Sequence, residues 1–114
     1  MPIHQGDLFW VQTGTPQEPD IPHPHVIVQT DALNDGPVAT VVVCALTSNL
    51  RRVSMPGNVL LEAGEANLPR QSVVEVSKVS MLEQAQLGEY IGTLSARRIE
   101  QILAGMRFVQ RSSR

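Results

Sequence analysis

The run Thr40–Leu46, TVVVCAL, constrains the fold more than any other segment of the chain. Its residues are β-branched or apolar, with no alternation between a wet and a dry face. Such a strand has to be covered on both sides, so it belongs at the centre of a sheet. It stops abruptly at Thr47-Ser48-Asn49, passes Arg51-Arg52, and leads through Pro56-Gly57 into a second apolar stretch. Short hydroxyl and amide side chains beside two guanidiniums, at the mouth of a buried strand, make a compact patch of donors with fixed charge. That patch suits a phosphodiester better than an apolar ligand. A polar turn with two solvated arginines accounts for the same residues.

With 114 residues, 42% of them hydrophobic, the chain is expected to form one small globular domain over 1–114 with a single core. No apolar run approaches a membrane span, and MPIHQGD lacks a signal-peptide core, so a cytoplasmic protein without membrane contact is expected. Cys44, the only cysteine, lies inside the apolar strand and reads as a small hydrophobe in a reducing compartment. Three histidines and one thiol, with no Cys-x-x-Cys or His-Glu-x-x-His spacing, give no metal site, and glycine-rich phosphate loops are absent. No cofactor is expected.

The net charge of −2 argues against a generic nucleic-acid binder, but its distribution is uneven. Residues 1–50 hold no Lys or Arg; all nine basic residues follow, from Arg51 to Arg114. Such asymmetry can mark a positive zone for an anionic partner.

Read along its length, the chain is a series of strands and then one helix. Strands are expected at Asp7–Gln12, His25–Gln29, Thr40–Leu46, Asn58–Leu61, Ser72–Met81 and Gly88–Leu94. Pro16, Pro19, Pro22 and Pro24 make Thr13–Pro24 an extended loop. Ser95 is a fitting N-cap for a helix whose apolar stripe is Ile99, Ile102, Leu103 and Met106, extended by Phe108 and Val109. Arg107, Arg111 and Arg114 suit its C-terminal end. Arg97 and Arg98 in its first turn do not, which points to an external anion, a cross-chain carboxylate or plain solvation. The expected fold is mainly β: a small curved sheet or partly open barrel of about six strands with a C-terminal helix packed on it.

An ordered set of short segments carries a family likeness. Gly6-Asp7 precedes an aromatic strand, and a proline loop runs into His23-Pro24. Leu46-Thr47-Ser48-Asn49-Leu50, Pro56-Gly57-Asn58-Val59-Leu60-Leu61, Leu68-Pro69, Gln71-Ser72-Val73-Val74, Leu87-Gly88 and Gly92-Thr93-Leu94-Ser95 follow. From about Gly6 to Val109 the chain resembles the MazF/PemK toxins of bacterial toxin–antitoxin modules. The resemblance implies a small barrel-like fold of the CcdB/MazF kind, a homodimer, and metal-independent cleavage of single-stranded RNA. It also implies inhibition by a cognate antitoxin, with DNA reached only indirectly through that partner. The alternative is a non-catalytic toxin of the CcdB kind, or a degenerate relative, that binds a partner protein.

RNA cleavage without a metal needs a group to take the 2′-hydroxyl proton, one to stabilise phosphate charge and one to protonate the leaving oxygen. The family's threonine maps to Thr47, which could donate to a phosphate or leaving oxygen or could simply cap the strand. Where the family has arginine before the proline of the second strand, this chain has His23. Arginine supplies charge and donors but does not deprotonate, whereas histidine serves as acid or base near neutrality. Glu18 matches an acidic residue of the family loop and could orient His23 or be a solvated charge. The expected RNA-binding residues are Arg51, Arg52, Lys78, Ser48, Asn49 and His25, with His25 either adding a second imidazole or packing in the sheet.

Overall fold

The computed structural model describes residues 2–15, 17–18 and 20–111. Its six strands are β1 (Asp7–Val11), β2 (His23–Ile27), β3 (Thr40–Thr47), β4 (Val59–Leu61), β5 (Ser72–Glu83) and β6 (Tyr90–Thr93). They form one antiparallel sheet in the order β4-β5-β3-β2-β1-β6. Register breaks between Cys44 and Leu46 and between Leu8 and Phe9 help the sheet curl into a half-barrel. A short helix α1 (Asp31–Asn34) and 3₁₀ turns at Leu50–Ser54, Glu65–Asn67 and Gln84–Gln86 interrupt the strands, and α2 (Ala96–Gln110) closes the chain.

The apolar run behaves as its composition demands. β3 lies inside the sheet, and its alternate residues enter two separate cores. Cys44 and Leu46 join Leu8, Val26, Leu61, Val74 and Ile102 on the helix side, with Val42 packed against them. Val41 and Val43 join Ile3, Phe9 and Ile27 on the other.

Helix α2 starts at Ser95, whose hydroxyl accepts from Arg98 N at 3.2 Å. Ile99, Ile102 and Met106 face the core, and Gly105 packs so tightly on Gly57 that a Cβ there would collide with the Gly57 carbonyl. Phe108 and Val109, expected to extend the buried stripe, are 53% and 40% exposed. Arg98 turns inward: its Nε and Nη2 donate to Glu65 at 2.7 and 3.1 Å, and Nη1 donates to Gln101 Oε1 at 3.0 Å. The first-turn arginine is thus answered by a carboxylate of its own chain. Asn67 Nδ2 in the same 3₁₀ turn donates to Ile91 O at 3.1 Å, so this turn joins the region after β4 to β6 and draws the two sheet edges together.

Strand boundaries shifted where proline chemistry is overridden. β2 starts at His23 and includes Pro24, which sits opposite Trp10. Pairing with β3 begins only at His25, so Pro24 sits beyond that ladder, where its missing N–H removes no bond. β5 runs on to Glu83 against Thr40. The loop prolines Pro16 and Pro19, and Arg114, lie outside the described residues. Among the described residues no helix is long and apolar enough to cross a membrane.

Candidate active site

The sheet brings one end of several strands together. Val11 of β1 pairs with His23 of β2, and His25 pairs with Ala45 of β3. That ladder stops at His25; beyond it His23 opens β2 and Thr47 ends the neighbouring β3, where Thr47 pairs with Val73 of β5. His23 and Thr47 both open into a cavity of about 660 Å³. Its walls come from Trp10, from Ile21, Pro22 and Pro24 around His23, from Ser48, from Pro69, Arg70 and Ser72 before and at the start of β5, and from Glu89.

Local chemistry fixes both central side chains. Thr47 is half-buried, and its Oγ1 accepts from Asn49 N at 3.1 Å, turning the chain out of the sheet. The hydroxyl hydrogen stays free to donate into the cavity, so capping and function are compatible in one side chain. Asn49 is spent elsewhere: its Oδ1 accepts from Arg51 N at 3.2 Å and caps the turn Leu50–Ser54. His23 is exposed between two prolines that restrict its backbone. Beneath it His25 is buried at 5% exposure, its Nδ1 3.0 Å from His23 O. Burial lowers the His25 pKa from the ordinary value, the His23 carbonyl bond opposes that, and the neighbouring His23 lowers it further. A neutral His25 therefore donates through Nδ1–H, because a carbonyl can only accept.

The basic residues divide. Arg52 Nε and Lys78 Nζ each approach the buried carboxylate of Glu75 at 3.5 Å. Neither lines the cavity, and neither does Arg51, which is exposed and without a carboxylate partner among the described residues. Glu18 also stays outside, in an exposed turn where its N donates to Thr15 Oγ1 at 2.9 Å. Of the nine residues singled out from the sequence, His23, Thr47 and Ser48 share the cavity. Among the described residues no group of His, Cys, Asp or Glu could hold a metal ion.

The family model of PemK-like, MazF-like toxins of type II toxin–antitoxin systems matches residues 4–109. The chain belongs to this toxin family. Endoribonuclease MazF6 of Mycobacterium tuberculosis is 33% identical over 111 residues, covering 96% of this chain and 97% of the relative. The fold agrees with a mycobacterial endoribonuclease solved in complex with its cognate antitoxin, at TM-score 0.76 and 22% identity, covering 93% and 92% of the two chains. It agrees also with the MazE-MazF structure from Deinococcus radiodurans, at TM-score 0.78 and 17% identity, covering 96% of each.

In this MazF-like chain sequence reasoning passed over Arg70, Trp10 and Glu89. Each stands in the cavity wall although none lies near His23 or Thr47 in sequence. One signal was available: Leu68-Pro69-Arg70-Gln71 opens a strand beside Thr47, which places a guanidinium at the strand mouth. Glu89 had no such signal, because its position depends on β6 pairing with β1 across the sheet.

Proposed function

We propose that this MazF-like endoribonuclease toxin cleaves single-stranded RNA in the cavity shared by His23 and Thr47, without a metal ion. The observation that carries the reading is that an imidazole and a hydroxyl donor line one cavity from the ends of neighbouring strands, in a chain of this family. Thr47 donates to a phosphate or leaving oxygen as negative charge develops there. His23 moves the proton that the family's arginine does not carry as readily. Arg70, which lines the cavity, supplies fixed positive charge there, while Arg51 at the exposed turn meets backbone phosphates farther along the strand. Arg52 and Lys78, each facing Glu75, offer the RNA a partly neutralised cluster.

The toxin works in the bacterial cytoplasm and is silenced by a cognate antitoxin laid across the same strand ends. It assembles as a homodimer. Leu50, Val53 and Met55, Val79 and Met81 on β5, and Phe108 on α2 are all exposed apolar side chains that a second copy would cover. A twofold interface in the standard range, about 1,200–2,000 Å² in total, is expected.

The test is incubation of the pure protein with a long single-stranded RNA in excess chelator, with fragments mapped by their ends. Site-restricted fragments that disappear when the cognate antitoxin is added support the reading. Intact RNA, across varied sequences, supports a protein-binding toxin instead.

A further inference from the structure

Three charged or titratable residues line the cavity from different elements. His23 comes from β2, Arg70 from the segment before β5, and Glu89 from the residue before β6. The wall from β1, β3 and the residue after β3 is Trp10, Thr47 and Ser48, which do not titrate in the working range. Glu89 is exposed, and among the described residues no cation pairs with it. Its backbone is nonetheless fixed. Glu89 O accepts from Trp10 N at 3.0 Å, and Gly88 N donates to Trp10 O at 2.7 Å, gripping β1 on both sides of that residue. A Cβ at position 88 would run into Trp10 O, so only glycine lets the chain approach this closely. Trp10 in turn pairs with Pro24, next to His23.

A glutamate and a histidine that line one cavity from either side of β1 supply the two groups needed to divide proton transfer between a base and an acid. Glu18 does not do this, since it lies outside the cavity in an exposed turn. We propose that Glu89 is a catalytic residue of this toxin, the general base that takes the 2′-hydroxyl proton, with protonated His23 as the general acid. The proposal rests on the ribonuclease reading above and assigns roles within it. The 2′-oxygen, losing its proton to the Glu89 carboxylate, bonds to phosphorus and closes a 2′,3′-cyclic phosphodiester. The bond from phosphorus to the 5′-oxygen breaks with its electron pair on that oxygen, which takes the proton from His23. Arg70 lies where a guanidinium neutralises the non-bridging oxygens as charge builds on them. Solvent returns the proton from Glu89 to His23 between turnovers.

The experiment is single-turnover cleavage of one RNA substrate across pH, in chelator, by wild type, Glu89→Gln, Glu89→Asp, Glu18→Gln and His23→Ala. Wild type should give a bell: an acid limb where carboxylates titrate and an alkaline limb where imidazoles titrate. Glu89→Gln should slow cleavage by roughly 10²–10⁴-fold and lose the acid limb while keeping the alkaline one. Glu89→Asp should regain part of the rate together with an acid limb, which a loss of folding at this position would not allow. His23→Ala should lose the alkaline limb instead, and products should end in 2′,3′-cyclic phosphate. An acid limb retained in Glu89→Gln, or lost in Glu18→Gln, overturns the assignment while leaving the ribonuclease reading intact. Wild type that cuts no RNA overturns that reading, and this proposal with it.

Discussion

The Nδ1 atom of His25 lies 3.0 Å from the carbonyl oxygen of His23, so a buried imidazole holds the backbone that presents the exposed one. Through this bond a core residue of β2 and a cavity residue at its mouth share one local geometry. Nδ1–H can donate to that carbonyl whether or not the ring is protonated; burial favours the neutral ring, lowering the His25 pKa from the ordinary 6.5.

That depression has a consequence for acid stability. Below about pH 6.5 the unfolded chain protonates this histidine while the folded chain resists, so stability is full above that pH and falls as pH drops toward the folded value. Urea unfolding followed from pH 7.5 to 5.5 should show this decline. His25→Gln should be less stable at neutral pH but flatter over the same interval. An unchanged slope in the variant would place the sensitivity elsewhere.

Glu65 adds a second, lower window. Desolvation pushes its pKa up, but the Arg98 hydrogen bond, the Glu62 backbone N–H and the Arg98 charge together bring it below the ordinary 4.5. Its contribution is present above about pH 4.5 and lost as pH falls through the lowered folded value. Arg98→Ala should destabilise the fold by about 1–2 kcal/mol at neutral pH, since it strands a half-buried carboxylate that joins α2 to the barrel edge. Glu65→Gln should flatten stability below pH 4.5, measured by the same unfolding series.

Close backbone packing gives a sharper contrast. Gly105→Ala would drive a methyl group into the Gly57 carbonyl beneath α2 and should cost about 1–3 kcal/mol. Gly36→Ala, whose Cβ would meet its nearest atom, Leu33 O, at an ordinary 3.5 Å, should be near neutral. Thermal melts of the two variants side by side check the pair.

The cationic residues should separate in a salt titration of RNA affinity. Arg51, with no carboxylate partner among the described residues, should carry more of the salt dependence than Lys78, whose charge faces Glu75. Arg51→Ala should therefore flatten the plot of log affinity against log salt by up to about 0.7 for one phosphate contact, and Lys78→Ala by less. Equal slopes in Arg51→Ala and wild type would return Arg51 to a solvated turn.

Much of this architecture was written locally. TVVVCAL announced an interior strand because no alternating sheet face could accept it, and the Ser95 cap with Ile99, Ile102 and Met106 announced the helix. The first-turn arginine misled, because Glu65 lies 33 residues away in sequence and meets Arg98 only when the barrel edge closes. Arg52 and Lys78 read as free cations for a similar reason: Glu75 is buried in β5, and Arg52 meets it only when the turn Leu50–Ser54 packs on that strand. For the cavity, Thr47 and His23 were legible from the family likeness and the strand ends. Glu89 and Trp10 reach it through β1–β6 pairing, a long-range contact that local pattern cannot express.

The most direct test is the pH dependence of RNA cleavage in chelator by wild type, His23→Ala, His23→Arg and Thr47→Ala. Wild type should cleave with an inflection in the window where imidazoles titrate, between about pH 5 and 8. His23→Ala should lose that inflection and slow by roughly 10²–10⁴-fold, while His23→Arg should recover part of the rate without it. Thr47→Ala should slow cleavage and keep the inflection, because a threonine hydroxyl does not titrate there. An inflection that persists unchanged in His23→Ala, or cleavage at the wild-type rate in both His23→Ala and Thr47→Ala, would contradict the account.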